Sequence, residues 1–71
     1  APLADARANR NQARLAFKKG RQLFKSGDFA AASVQLEKAY KLSPHPALLR
    51  YLGQTYYKWN KPEKALQYFK R

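Results

Sequence analysis

The chain has 71 residues, with 15 Lys+Arg against 4 Asp+Glu, a formal net charge of +11 and no cysteine. A chain of this size is one small domain with a thin core, and without cysteine neither disulfides nor a thiolate zinc site can support it, so helix packing must carry its stability. The charge favours acidic or polyanionic partners and opposes self-association, and the longest apolar runs are three or four residues, as at 29–32, too short to span a bilayer.

The sequence opens Ala1-Pro2-Leu3-Ala4 without an initiator Met, which fits a cleaved signal peptide, a trimmed chain or a fragment equally. Residues 1–12 are expected to extend a first helix backwards from a hairpin at 13–45. Along that helix Arg7, Arg10, Arg14, Lys18, Arg21 and Lys25 recur at spacings of three and four, which places all six on one stripe. At about 1.5 Å per residue the stripe would run roughly 27 Å. Like charges so spaced destabilise an isolated helix by a few tenths of a kcal/mol per pair, which an anionic partner would offset. The plainer reading is a solvated outer face, with Leu15, Ala16, Gly20 and Leu23 turned to the core.

Gly27 is expected to end the first helix in positive φ, and Asp28 to cap the second. Residues 42–46, with Pro44 and Pro46, stop the second helix and start a third within a few residues. A second hairpin then occupies 46–71. There Asn60 takes the place of the glycine, and Pro62 falls in the first turn of the fourth helix, where its missing N–H costs little.

Sliding the chain on itself by 33 residues aligns Gly20 with Gly53, Leu23 with Tyr56, Phe24 with Tyr57, Lys25 with Lys58, Ala32 with Ala65 and Leu36 with Phe69. That is a solenoid period, and each copy is an amphipathic stretch, a short break and another amphipathic stretch. The expected architecture is all-α, two helical hairpins and four helices. With Gly20, Leu23, Gly27, Asp28, Phe29, Ala32, Leu36, Ala39 and Pro44 in the first copy and Leu52, Gly53, Tyr56, Ala65 and Phe69 in the second, the chain resembles the tetratricopeptide repeat (TPR) family over residues 13–71. Two departures stand out. Lys19 sits where the family usually has Leu, which implies looser packing or a snorkelling stem. The last helix is short and no polar capping helix follows it, so Leu66, Tyr68 and Phe69 are expected to offer apolar surface to the parent protein or to a second copy.

The resemblance implies a protein-interaction scaffold whose first helices line a groove. It carries the groove positions onto Arg14, Phe17, Arg21, Phe24 and Lys25, with Lys18 beside them on the basic stripe, and onto Ala47, Arg50, Gln54, Tyr57 and Lys58. Such a lining is basic and aromatic, suited to an acidic peptide or helix. The family's chaperone-tail clamp is disfavoured, because its Lys and Asn places hold Phe17, Arg21 and Tyr51. Residues 46–57 are similar to TPR segments of bacterial envelope proteins, which implies a periplasmic or envelope setting. Binding of RNA, DNA or an anionic envelope polymer along the basic stripe is the second reading, and a self-associating structural module the third. Membrane-surface binding is disfavoured, since the opposite side of the stripe is rich in alanine.

Catalysis finds few parts. His45 lies between two prolines, where a solvated or capping role fits, and Ser26, Ser33 and Ser43 have no second imidazole. Asp5, Asp28, Glu37 and Glu63 are dispersed singly, which disfavours a carboxylate pair or a metal cage, and no glycine-rich phosphate loop occurs. A non-enzymatic chain without metal or cofactor is therefore expected. Among the aromatics, Tyr40, Tyr56 and Phe69 are expected in the core, while Trp59 either covers the turn after the third helix or seats against a partner.

Overall fold

The structure, a computed structural model, describes the backbone of residues 2–70 and the side chains of residues 8–70. Four helices follow in order: α1 (Pro2–Ser26), α2 (Phe29–Leu42), α3 (Pro46–Lys58) and α4 (Pro62–Phe69). α1 packs on α2, α2 on α3 and α3 on α4, giving two stacked hairpins in an elongated slab of 42 × 26 × 13 Å.

The two hairpin turns share one hydrogen-bond pattern. Gly27, at φ 86°, donates to the Phe24 carbonyl at 3.1 Å, while Asp28 N–H donates to Leu23 at 2.9 Å. Thirty-three residues later Asn60, at φ 62°, donates to Tyr57 at 3.1 Å, and Lys61 N–H to Tyr56 at 2.8 Å. Both are Schellman closures, which satisfy carbonyls at a helix end and require a residue that tolerates positive φ. Asn is the side chain that accepts this conformation most readily after Gly. Each following helix then starts in its own way. Asp28 accepts from the Ala31 N–H at 3.3 Å, and His45 Nδ1 accepts from the Ala47 N–H at 3.2 Å. α4 has no side-chain cap and begins at Pro62, whose missing donor removes one unsatisfied group.

The core consists of Ala13, Ala16, Ala32, Leu36, Ala39, Leu48, Leu52, Tyr56 and Ala65. Most of these are alanines, so the helices approach closely, and the apolar burial rests on the few larger side chains. Two glycines mark the tightest contacts. A Cβ on Gly20 would lie 2.8 Å from Cγ and Cδ2 of Leu36, and one on Gly53 would lie 2.6 Å from the Phe69 ring. Leu36 is fully buried and cannot move aside, whereas Phe69 is 51% exposed. Gly20→Ala is therefore expected to destabilise by about 1 kcal/mol or more, even after the helix-propensity gain of up to about 1 kcal/mol. Gly53→Ala should lie near the wild type or slightly above it, a difference that urea unfolding of the two variants checks.

The ends depart from expectation in part, since Leu66 and Phe69 do offer apolar surface. Phe69 is not in the core: its ring lies over Gly53, but half of the side chain faces solvent. The reason is that among the described residues no helix packs on α4 as α3 packs on α2. Tyr68 was expected at the surface with Leu66 and Phe69. It is instead half-buried and packed against the core, whereas Leu66 is 53% exposed. Tyr40 is half-buried. Lys19, in the place of the family leucine, is exposed.

Candidate functional site

α1 and α3 touch through their side chains. Their contact is aromatic: Phe17 of α1 meets Tyr51 of α3 edge-to-face, with centroids 5.1 Å apart, and the Lys58 ammonium sits 5.4 Å above the Phe24 ring. Of the expected groove positions these contacts join Phe24 to Lys58 across the two helices, and a further one joins Phe17 to Arg21 within α1. Arg14, Lys18, Arg21 and Lys25 are exposed on α1, as are Arg50, Gln54, Tyr57 and Lys58 on α3. Arg10 continues the row and is exposed; the Arg7 side chain lies outside the described residues. From residue 8 to its end α1 contains no Asp or Glu. Lys25 occupies the last turn of α1, where a cation is favoured by the helix dipole.

Phe17 and Phe24 differ from the other expected lining residues in being half-buried. Phe24 also packs edge-to-face on Phe29, at 5.7 Å. These two rings hold α1 to α3 and to α2, because an aromatic at a helix contact gains more from burial than from standing in water. Phe17 also positions a cation, since the Arg21 guanidinium lies 5.6 Å from its centroid, a contact worth roughly 0.5–1 kcal/mol at an exposed site.

Three depressions lie along these helices. Lys18, Arg21, Gln22 and Lys25 line a notch on α1. On α3, one hollow is lined by Ala47, Arg50, Tyr51 and Gln54, and a second by Gln54, Tyr57, Lys58 and Phe69, so that Gln54 joins the two. Cationic and aromatic surface thus alternate along α3, an arrangement that can hold carboxylates with the guanidiniums and apolar groups against Tyr57.

A carboxylate holds α2, α3 and α4 together. The phenol groups of Tyr56 on α3 and Tyr68 on α4 both donate to Oε1 of Glu37 on α2, each at 2.7 Å, and the two rings stack with centroids 5.4 Å apart. Burial pushes the Tyr56 phenol above its usual pKa, the Glu37 hydrogen bond and negative charge add to this, and hydrogen bonding with Ser33 and Tyr68 partly offsets it. In the sequence Glu37 is one of four dispersed acids. Its partners lie 19 and 31 residues away, and no local spacing signals them. Trp59 covers the α3–α4 turn: it stacks on Tyr56 at 5.8 Å, and the Lys61 ammonium sits 4.3 Å above its ring.

His45 acts as the helix cap described above. Among the described residues no group of three His, Cys, Asp or Glu could hold a metal ion, and no helix is long and apolar enough to cross a membrane.

A family model described as tetratricopeptide repeat matches residues 11–46 and 52–71, most of the chain and both hairpins. The chain belongs to the tetratricopeptide repeat family. Comparison with curated proteins and with solved structures returns no match. TPR repeats generally mediate protein–protein interaction, and the family is one of scaffolds that are usually not enzymes. In this TPR protein α1 and α3 are the first helices of the two hairpins.

Proposed function

We propose that the α1–α3 face binds an acidic segment of a partner protein, with Arg14, Lys18, Arg21, Lys25, Arg50 and Lys58 pairing its carboxylates. Gln54 and Tyr57 would supply hydrogen bonding and apolar contact, and Phe17 and Phe24 would support the cations from beneath. The observation that carries this reading is the exposure of all six cations on two helices that touch through Phe17, Tyr51, Phe24 and Lys58, with no Asp or Glu on α1 from residue 8 onward. Arginine presents a planar fork to carboxylates, and each charge-assisted hydrogen bond is about twice as strong as a neutral one.

The test compares a fluorescent Glu-rich peptide with a single-stranded oligonucleotide of equal charge. The peptide is expected to bind, and Arg14→Glu/Arg21→Glu to weaken it by at least about tenfold, since two favourable pairs become repulsive. Stronger binding of the oligonucleotide, with a log–log salt slope near 0.7 per neutralised phosphate, would move the assignment to a polyanion. One observation favours that second reading: the cationic row runs past the groove to Arg10, and its notch is lined by three cations and Gln22. The likeness of residues 46–57 to bacterial envelope segments supports a periplasmic or envelope setting, which fractionation of the native host would check.

A further inference from the structure

The repeat lets one interface of the molecule serve as a template for another. α3 meets the first hairpin with Leu48, Leu52 and Thr55 buried and Tyr51 half-buried. The equivalent positions 33 residues earlier on α1 hold Leu15, Lys19, Gln22 and Lys18, and all four are exposed. The leading end of the stack thus keeps one apolar side chain of the four and sets two ammonium groups beside it.

The trailing end is the reverse. Leu36 and Ser33, buried where α3 lies on the first hairpin, correspond to Phe69 and Leu66, which are 51% and 53% exposed. Half-buried Phe24 corresponds to Tyr57, which is 69% exposed. Tyr57 and Phe69, with Gln54 and Lys58, line a depression of about 290 Å³. The first hairpin fills the same positions with α3 itself.

We propose that this trailing end, formed by Tyr57, Leu66 and Phe69, docks an amphipathic helix of a partner protein, with an apolar stripe spaced as Leu48, Leu52 and Thr55 are and acidic residues flanking it. The stripe follows from the template, because a face built like the α2 side of the α2–α3 interface is complementary to a helix built like α3. The acidic flank follows from charge: Lys58 lines the depression and the chain carries +11, so carboxylates at the helix edges are attracted where further lysines are repelled. A second copy is a poor occupant. Stacked head-to-tail it would bring Lys18 and Lys19 towards Lys58, and stacked end-to-end it would oppose two Lys58 side chains. Phe69 also lines the hollow shared with Gln54, Tyr57 and Lys58, whereas Leu66 lines none of the depressions of the basic face, so Leu66 separates the two sites.

The probe is a lactam-bridged helical peptide with the sequence of residues 46–58 in which Arg50 and Lys58 are replaced by Glu. It is expected to bind the full chain, with NMR shifts concentrated at Tyr57, Leu66 and Phe69. Leu66→Ser/Phe69→Ser should weaken it by at least about tenfold, and Leu66→Ser alone should weaken it while leaving the Glu-rich peptide used for the basic face unaffected. Absent binding, or shifts confined to the α1 cations, overturns the proposal. A wild-type mass that rises with concentration and falls back in Leu66→Ser/Phe69→Ser would assign the face to a second copy and overturn it as well. A further arm uses the protein alone. Lys18→Tyr/Lys19→Leu/Gln22→Thr rewrites the leading end in the residues of α3, and should turn a monomer into head-to-tail oligomers that Leu66→Ser/Phe69→Ser disperses. A triple variant that stays monomeric would refute the receptive character of the trailing end.

Discussion

Replacing Leu36 by alanine is expected to cost about 2–5 kcal/mol, the range for truncating a fully buried leucine. At roughly 0.1 kcal/mol per residue the whole domain holds on the order of 7 kcal/mol, so the variant should lose a large part of its stability. Leu36 is 0% exposed and clusters with Leu48 and Leu52 of α3 and with the alanines of α1 and α2. Truncation therefore loosens the first hairpin and its junction with the second together, and the close backbone approach at Gly20 leaves little slack for collapse. Phe69→Ala, at the equivalent repeat position, should cost well under half as much despite the larger side chain, because half of that ring is already in water. Chemical denaturation of the two variants settles the comparison, and equal losses would contradict the assignment of Phe69 to an open end.

Glu37→Ala should cost about 2–4 kcal/mol, although the residue lies outside the apolar core. It removes the acceptor of two phenol hydrogen bonds, and Tyr56, only 4% exposed, is left with a buried hydroxyl that no carboxylate satisfies. Hydrogen bonds to charged groups contribute about 1.5–3 kcal/mol, and the hydrogen bonding of Tyr56 with Ser33 and Tyr68 offsets only part of the loss. Glu37→Gln keeps an acceptor and should lose markedly less. The same cluster makes an alkaline prediction. The folded-state pKa of Tyr56 is raised above 10, so the folded protein retains a proton that the unfolded chain gives up. This contribution is fully present below pH 10 and is lost as pH rises through the folded value. Urea midpoints of wild type and Tyr56→Phe, measured from pH 8 to 11, should converge at the alkaline end, since lysine titration is common to both.

The basic face was largely legible beforehand. Helical spacing alone selects Arg10, Arg14, Lys18, Arg21 and Lys25, and all five are exposed on α1. The roles of the rings among them were not legible. Phe17 and Phe24 have the same spacing as the cations, and whether a ring serves a partner or a neighbouring helix depends on Tyr51 and Phe29, which periodicity does not place. For Phe69 the expectation of apolar surface at the end of the stack agrees with the structure and the expectation of burial does not, for a related reason. Its alignment with Leu36 carries over the chemistry of the position, but burial there comes from the helix stacked on top, and among the described residues none is stacked on α4.

Sequence by itself determined the four helices, the two turns and the repeat. These depend on residues within about five positions of one another, as in the Gly27 and Asn60 closures, or on a fixed offset of 33. Tertiary structure alone decided that Glu37 joins three helices, that Lys19 faces solvent where Leu52 is buried, and that one end of the stack is polar and the other apolar. Exposure and long-range hydrogen bonding are properties of neighbours brought together by packing, and identical spacings acquire opposite environments at the two ends of a stack.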